Sequence, residues 1–231
     1  MFFQKLDKDP LVTTGWRAFF HLVIETGCRA IELRSLFWAD IDLDNLIVKI
    51  RKGIERQSNG SYKKKTTKTE IIQDKAMSRY TASLLQKLKK ENDSFIKNHD
   101  KLIKEKGDWV FINTECHKEG NSAIGMPFDR STPNKKLEKL LKRYELPKHT
   151  MHSFRRTAGT YVAIEMNDYE FAQHLLGHKS LQTTIESYVR STESINREYV
   201  DQINNIIGTK EETQENNEDD NISLERHGEP F

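Results

Sequence analysis

Two cysteines in 231 residues, Cys28 and Cys116, are too few for a disulfide framework or a four-thiolate zinc site. The N-terminus has no long apolar run of the kind that marks a signal peptide, and no stretch is long enough to span a bilayer. No internal repeat is present. Apolar residues make up only 35%, a lean share that periodic helices must concentrate on their inner faces. The length allows one medium domain, or one with a small appendage.

Charge of one sign is also scarce, at a formal net of +2. Divided by region, the balance changes. Lys210 to Phe231 holds eight acidic residues against Lys210 and Arg226, a net of −6, so the preceding 209 residues carry +8. A basic body with an acidic tail suits a polyanionic partner better than the total suggests. Residues 208–231 are low in apolar content and are expected to be disordered.

Helical periodicity dominates the body. Thr13 to Thr26 reads as the first helix, about a dozen residues into the chain, with Trp16, Phe19, Phe20, Val23 and Ile24 on one broad face. Gly27 breaks it and Ala30 to Leu36 restarts it. After the Asp44-Asn45 turn, Leu46 to Ile50 alternates like a strand. Gly53 to Lys65 reads as a Lys-rich loop, and Thr66 to Ile72 as the returning strand of a long hairpin. Helices are expected over Lys75 to His99, Thr132 to Tyr144, His152 to Met166 and Tyr169 to Leu176. Two more follow, Leu181 to Val189 behind an N-cap at Ser180, and Glu193 to Ile207. The fold class is α+β, mainly helical, with a small antiparallel sheet over residues 1–207.

The most specific chemistry is His152-Ser153-Phe154-Arg155, followed by Gly177-His178 and Tyr188. His152 and Arg155 are three apart, so a helix projects them from one face. An arginine offers a permanently charged fork for phosphate oxygens, and a histidine moves protons near neutral pH. A tyrosine beside them could act as nucleophile. Upstream, Gly27-Cys28-Arg29-Ala30-Ile31-Glu32-Leu33 places Arg29 at a helix start, where backbone N–H groups favour an anion. Together these groups suggest attack on a phosphodiester by a side-chain oxygen. Each has a plainer reading: Arg29 as a surface arginine paired with Glu32 or Glu25, Tyr188 as a core residue sharing a face with Leu181 and Ile185. Cys28 reads as a small buried residue, and His174 as structural or exposed.

The ordered set Gly27-x-Arg29-x-x-Glu32-Leu33, Lys68-Thr69, His152-x-x-Arg155, Leu176-Gly177-His178 and Tyr188 resembles the tyrosine recombinases, the phage integrase family. The resemblance runs from about Thr26 to Arg190. It implies a DNA breaking-rejoining catalytic domain that works through a covalent 3′-phosphotyrosyl intermediate, with no metal and no nucleotide cofactor. Arg29 and Arg155 would clamp the non-bridging oxygens, with Glu32 orienting the arginine site. His152 would accept a proton or hold the phosphate, His178 would donate to a non-bridging oxygen, and Tyr188 would attack. Lys68 would protonate the leaving 5′ oxygen, with Lys63, Lys64 and Lys65 as competitors; Tyr199 is the rival nucleophile. Arg156 stands where many members have histidine or lysine.

The implied partners are double-stranded DNA, three further copies in a homotetrameric synapse, and accessory DNA-bending proteins, with no membrane. The implied location is the cytoplasm, at the nucleoid. An apolar stripe of Ile195, Tyr199, Ile203 and Ile206 would suit docking of the last helix onto a neighbour. An N-terminal core-binding domain is absent from the pattern, so weak duplex binding by this chain alone is expected. A type IB topoisomerase and an inactive DNA-binding module are the alternative functions.

Overall fold

A helix precedes the one that the sequence suggests as first. In the computed structural model, α1 (Phe2–Lys8) buries Leu6 and sets Phe2 and Phe3 against the core. Its cover explains its successor. The apolar face expected of α2 (Thr14–Thr26) is widened by Ala18 and Leu22, both fully buried. A helix buried on nearly every side needs neighbours on every side. The structure describes residues 1–50, 54–56, 62–64, 73–103, 107–114, 124–165, 167–176, 180 and 182. Apart from Gln182 these fall in one compact unit, Met1–Leu181.

α2 stops where the sequence says it should. Gly27 has φ of 61°, the left-handed region that glycine enters without penalty, and its N–H returns to the Val23 carbonyl at 3.1 Å. A Cβ there would also press on Leu175 and Leu176 at 3.3–3.4 Å, a tight contact added to the conformational demand. α3 (Ala30–Leu33) is shorter than the expected Ala30 to Leu36.

The small antiparallel sheet is present as expected, but it takes Lys75 and Ala76 from a stretch read as helix. β1 (Ile41–Asp42), β2 (Ile47–Ile50) and the later β5 (Gln73–Ala76) form a three-stranded antiparallel sheet in the order β1-β2-β5. All four residues of β2 pair with β5, from Ile47 opposite Ala76 to Ile50 opposite Gln73. The expected return strand, Thr66 to Ile72, lies outside the described residues. The stretch read as a polar loop contains a two-stranded ribbon, β3 (Ile54–Arg56) against β4 (Tyr62–Lys64). Its lysine-rich sequence lacks the apolar alternation by which a half-buried strand is recognised.

α4 (Arg79–Asn98) starts four residues later than Lys75, because Ser78 is its N-cap and accepts from the Thr81 N–H at 3.1 Å. Glu25, at the end of α2, accepts from the Ser78 N–H at 3.0 Å and from the Thr81 hydroxyl at 2.8 Å. One carboxylate thus ties the end of α2 to the start of α4. Buried Asn92 on α4 donates to the Val110 carbonyl at 2.9 Å and anchors the apolar run Trp109 to Ile112. Trp16 and Phe128 stack with centroids 4.3 Å apart, and Phe19 meets Phe111 edge-on at 5.0 Å. These rings form the centre of the core.

α5 (Thr132–Arg143) and α6 (Met151–Thr160) follow, and α6 widens into a π-helical turn over Tyr161–Glu165; Met166, its expected end, lies outside the described residues. α7 (Tyr169–Leu176) has the bounds read from sequence. The expected helices Leu181 to Val189 and Glu193 to Ile207, and the tail 208–231, lie outside the described residues, apart from Gln182. Among the described residues, no helix is long and apolar enough to cross a membrane.

α1 is clasped to α5 by polar groups. Asp9 accepts from the Tyr144 hydroxyl and from Arg143, each at 2.9 Å, and from the Leu11 N–H at 2.9 Å. Burial raises the Asp9 carboxyl, but these hydrogen bonds outweigh it and hold it below its ordinary 3.8. Burial first, then the hydrogen bond to Asp9, pushes the Tyr144 phenol up to about 12 from 10.0. For a phenol raised on folding, the stabilisation is complete below the unfolded value of 10.0 and is lost as pH rises through about 12. Tyr144→Phe should therefore cost about 1–2 kcal/mol at neutral pH. Urea denaturation of both proteins between pH 8 and pH 12 should show the gap closing above pH 10; a constant gap would refute the bond.

Candidate active site

α6 carries the His-x-x-Arg pair, and its start is set by a reciprocal cap. The Thr150 hydroxyl accepts from the Ser153 N–H and the Ser153 hydroxyl accepts from the Thr150 N–H, both at 3.3 Å. Phe154 then docks this helix on α1 and α2, with centroids 5.1 Å from Phe2, 5.9 Å from Phe3 and 6.3 Å from Phe20. With Phe154 pinned, its neighbours are sorted by the helix turn. His152 is exposed, and Arg155 is buried at 4% exposure.

Arg155 reaches across two elements. Nη1 donates to the Gly27 carbonyl at 2.6 Å, and Nη2 donates to the Leu176 carbonyl. Its guanidinium therefore joins the turn that launches Arg29 to the end of α7, immediately before Gly177-His178. Arg29 itself is exposed, its side chain 54% open, and Nη1 meets Glu32 Oε1 at 2.9 Å. The other Glu32 oxygen accepts from the Arg29 N–H at 2.8 Å. Glu32 thus both orients Arg29 and occupies that N–H, so the expected anion-binding start of α3 is capped from within, and α3 has a single turn. The contact fits both sequence readings of Arg29, an oriented site residue and a surface pair.

A residue that sequence reasoning missed sits beside this junction. Lys75, read as the start of a helix, lies on β5 opposite Val48 with its side chain turned inward, 4% exposed. Its Nζ donates to the His174 carbonyl at 2.6 Å and to the Leu175 carbonyl at 3.1 Å. Burial is the main cause that holds this ammonium below 10.5, and the Arg155 charge adds to the effect, while Cys28 and Glu32 oppose it. The signal that could have found it was Ser78: a cap there starts the helix at Arg79 and frees Gln73 to Ala76 for a strand. Cys28 is buried as expected, and burial pushes its thiol up to about 11, far from the reactive thiolate range. His174 is exposed, as expected, and contributes its carbonyl.

The structure thus brings Arg155 to the Arg29 turn and to the end of α7, and leaves His152 at the surface of the same helix. Lys68, His178 and Tyr188 lie outside the described residues. Among the described residues, no group of three His, Cys, Asp or Glu side chains is placed to hold a metal ion.

Comparison with known proteins gives this junction a context. The model of the phage integrase family matches residues 4–194. An integrase of Staphylococcus phage L54a is 30% identical over 187 residues, which cover 79% of this chain and 49% of that protein. A XerC-like tyrosine recombinase of Caldanaerobacter subterraneus subsp. tengcongensis is 26% identical over 208 residues, covering 87% and 52% respectively. The chain therefore spans about half the length of the curated relatives it matches. Among solved structures, the Tn1549 transposon integrase in complex with transposon right end DNA has a TM-score of 0.64 at 20% identity, over 81% of this chain and 58% of that one. XerA recombinase has a TM-score of 0.59 at 23% identity, over 85% and 61%. Both share the mainly helical fold with its small antiparallel sheet. With a match that runs from α1 past the position of Tyr188, this chain belongs to the phage integrase family.

Proposed function

We propose that the chain is the catalytic domain of a site-specific recombinase that breaks and rejoins double-stranded DNA through a 3′-phosphotyrosyl intermediate. The observation that supports this reading is the Arg155 bridge, which ties the Gly27 carbonyl, two residues before Arg29, to the end of α7. Tyr188 Oη attacks the phosphorus, the P–O5′ bond breaks, and an O–P bond to tyrosine forms. His152 takes the phenolic proton, and Lys68 gives a proton to the departing 5′ oxygen. Arg29, Arg155 and His178 hold the non-bridging oxygens, on which negative charge builds. One such preorganised donor is worth about 3–4 kcal/mol. Because one phosphoester is exchanged for another, the 5′ hydroxyl of a second strand can reverse the step without external energy.

DNA as partner is supported by the Tn1549 transposon integrase, whose structure is a complex with transposon right end DNA. A homotetramer around two duplexes, accessory DNA-bending proteins and a place at the nucleoid complete the proposal. The test uses nicked duplexes that tile the DNA on either side of the coding sequence. A cut in such a duplex releases a short strand and traps the protein. Wild type should yield a denaturation-resistant adduct that persists in EDTA, and Tyr188→Phe should yield none. An adduct that survives in Tyr188→Phe moves the nucleophile to another side chain. No adduct with any duplex leaves a DNA-binding module in place of an enzyme.

A further inference from the structure

We infer that Lys75 is a positioning residue that locks the last turn of α7 and, through it, sets Arg155 against the reacting phosphate. The inference rests on the proposed function. The last turn of a helix leaves carbonyls without partners inside the helix. Here two cations take three successive ones: Lys75 holds those of His174 and Leu175, and Arg155 holds that of Leu176. The cations come from different elements, β5 and α6, so the end of α7 is fastened from two directions. Gly27 closes a third, lying against Leu175 and Leu176 so that a methyl carbon there would meet them at a tight 3.3–3.4 Å.

The position of Lys75 is costly and therefore informative. A strand residue opposite Val48 faces the core, where an apolar side chain is the default. Burying an ammonium there is tolerated only when it is hydrogen-bonded. Its head does not point to solvent as a phosphate-tracking lysine would; it is spent on main-chain oxygens. Lys75 thus acts behind the phosphate site, and the leaving-group proton belongs to another lysine.

Two measurements decide the matter. Hydrogen exchange on the DNA-free 231-residue chain should show the α7 amides of Lys75→Met exchanging about tenfold faster, the loss expected for charge-assisted bonds to buried acceptors, with α2 and α4 unchanged. Unchanged exchange in α7 overturns the inference whatever the chain does to DNA. With the same tiled nicked duplexes, cleavage at saturating protein should fall by roughly 10- to 100-fold, as when a residue that supports a ligating side chain is lost, while duplex affinity stays constant. Lys75→Arg, which keeps the donors, should recover most of the rate. Sulfur in place of the bridging 5′ oxygen makes a leaving group that needs no proton, and it should not rescue Lys75→Met. Rescue by sulfur would make Lys75 the acid and overturn the positioning role, and so would a wild-type cleavage rate. If Lys75→Met does not fold, Lys75→Gln carries both measurements. If wild type forms no adduct, the proposed function falls and the exchange measurement still decides the lock.

Discussion

Arg155→Ala is expected to lose both cleavage and a large part of the stability of the fold. Truncation removes the donors of the Gly27 and Leu176 carbonyls in a site only 4% exposed. Each buried acceptor left without a partner costs about 1–3 kcal/mol, so a loss of roughly 2–5 kcal/mol is expected from urea denaturation. Adduct formation should fall by about 10²–10³-fold or more, the loss seen when one preorganised donor is removed from a charged transition state. Arg155→Lys should recover little, because a single ammonium cannot span two carbonyls that a planar fork reaches from opposite arms. The two measurements separate the roles. A variant that is unstable but cleaves normally would confine Arg155 to the fold. One with normal stability and no cleavage would mean that the two carbonyl bonds contribute little.

The second large effect lies in the core. Phe19 is fully buried, with ring centroids 5.6 Å from Trp16, 5.0 Å from Phe111 and 6.1 Å from both Phe20 and Phe128. Phe19→Ala removes a ring around which four others are packed and leaves a cavity that rigid aromatic neighbours fill poorly. The cost should be about 3–5 kcal/mol. Domains of this kind hold only about 5–15 kcal/mol in total, so a fall in melting temperature of about 10 °C is expected. Phe171→Ala, at 47% exposure, is the control and should change it by little. Equal effects at the two positions would contradict the assigned core.

What was legible in the sequence was local. Gly27 announced the end of α2, and the bounds of α7 were read correctly, because caps and stops are written within a few residues of the elements they bound. The order of the arginine and histidine motifs was enough for the family. What was hidden depended on contacts distant in sequence. The true start of α4 is set by Ser78 together with Glu25, 53 residues upstream, whereas Lys75, Ala76 and Met77 are good helix formers and drew the boundary too early. α1 is too short for a period to show, and its helicity comes from the docking of Phe2 and Phe3 beside Phe154. Nothing local distinguishes Arg155 as buried, since the same guanidinium at the surface would have the same neighbours in sequence. Its burial follows from Phe154, which fixes the rotation of α6.

The junction between α6, β5 and α7 is also asymmetric in how it can change over time. Its donors are two side chains, each removable by a single codon change. Its acceptors are peptide oxygens, which every one of the twenty amino acids supplies. Drift at positions 174, 175 and 176 can alter packing but cannot delete an acceptor, so the hydrogen bonds of this corner can be lost by inheritance errors only at two basic residues.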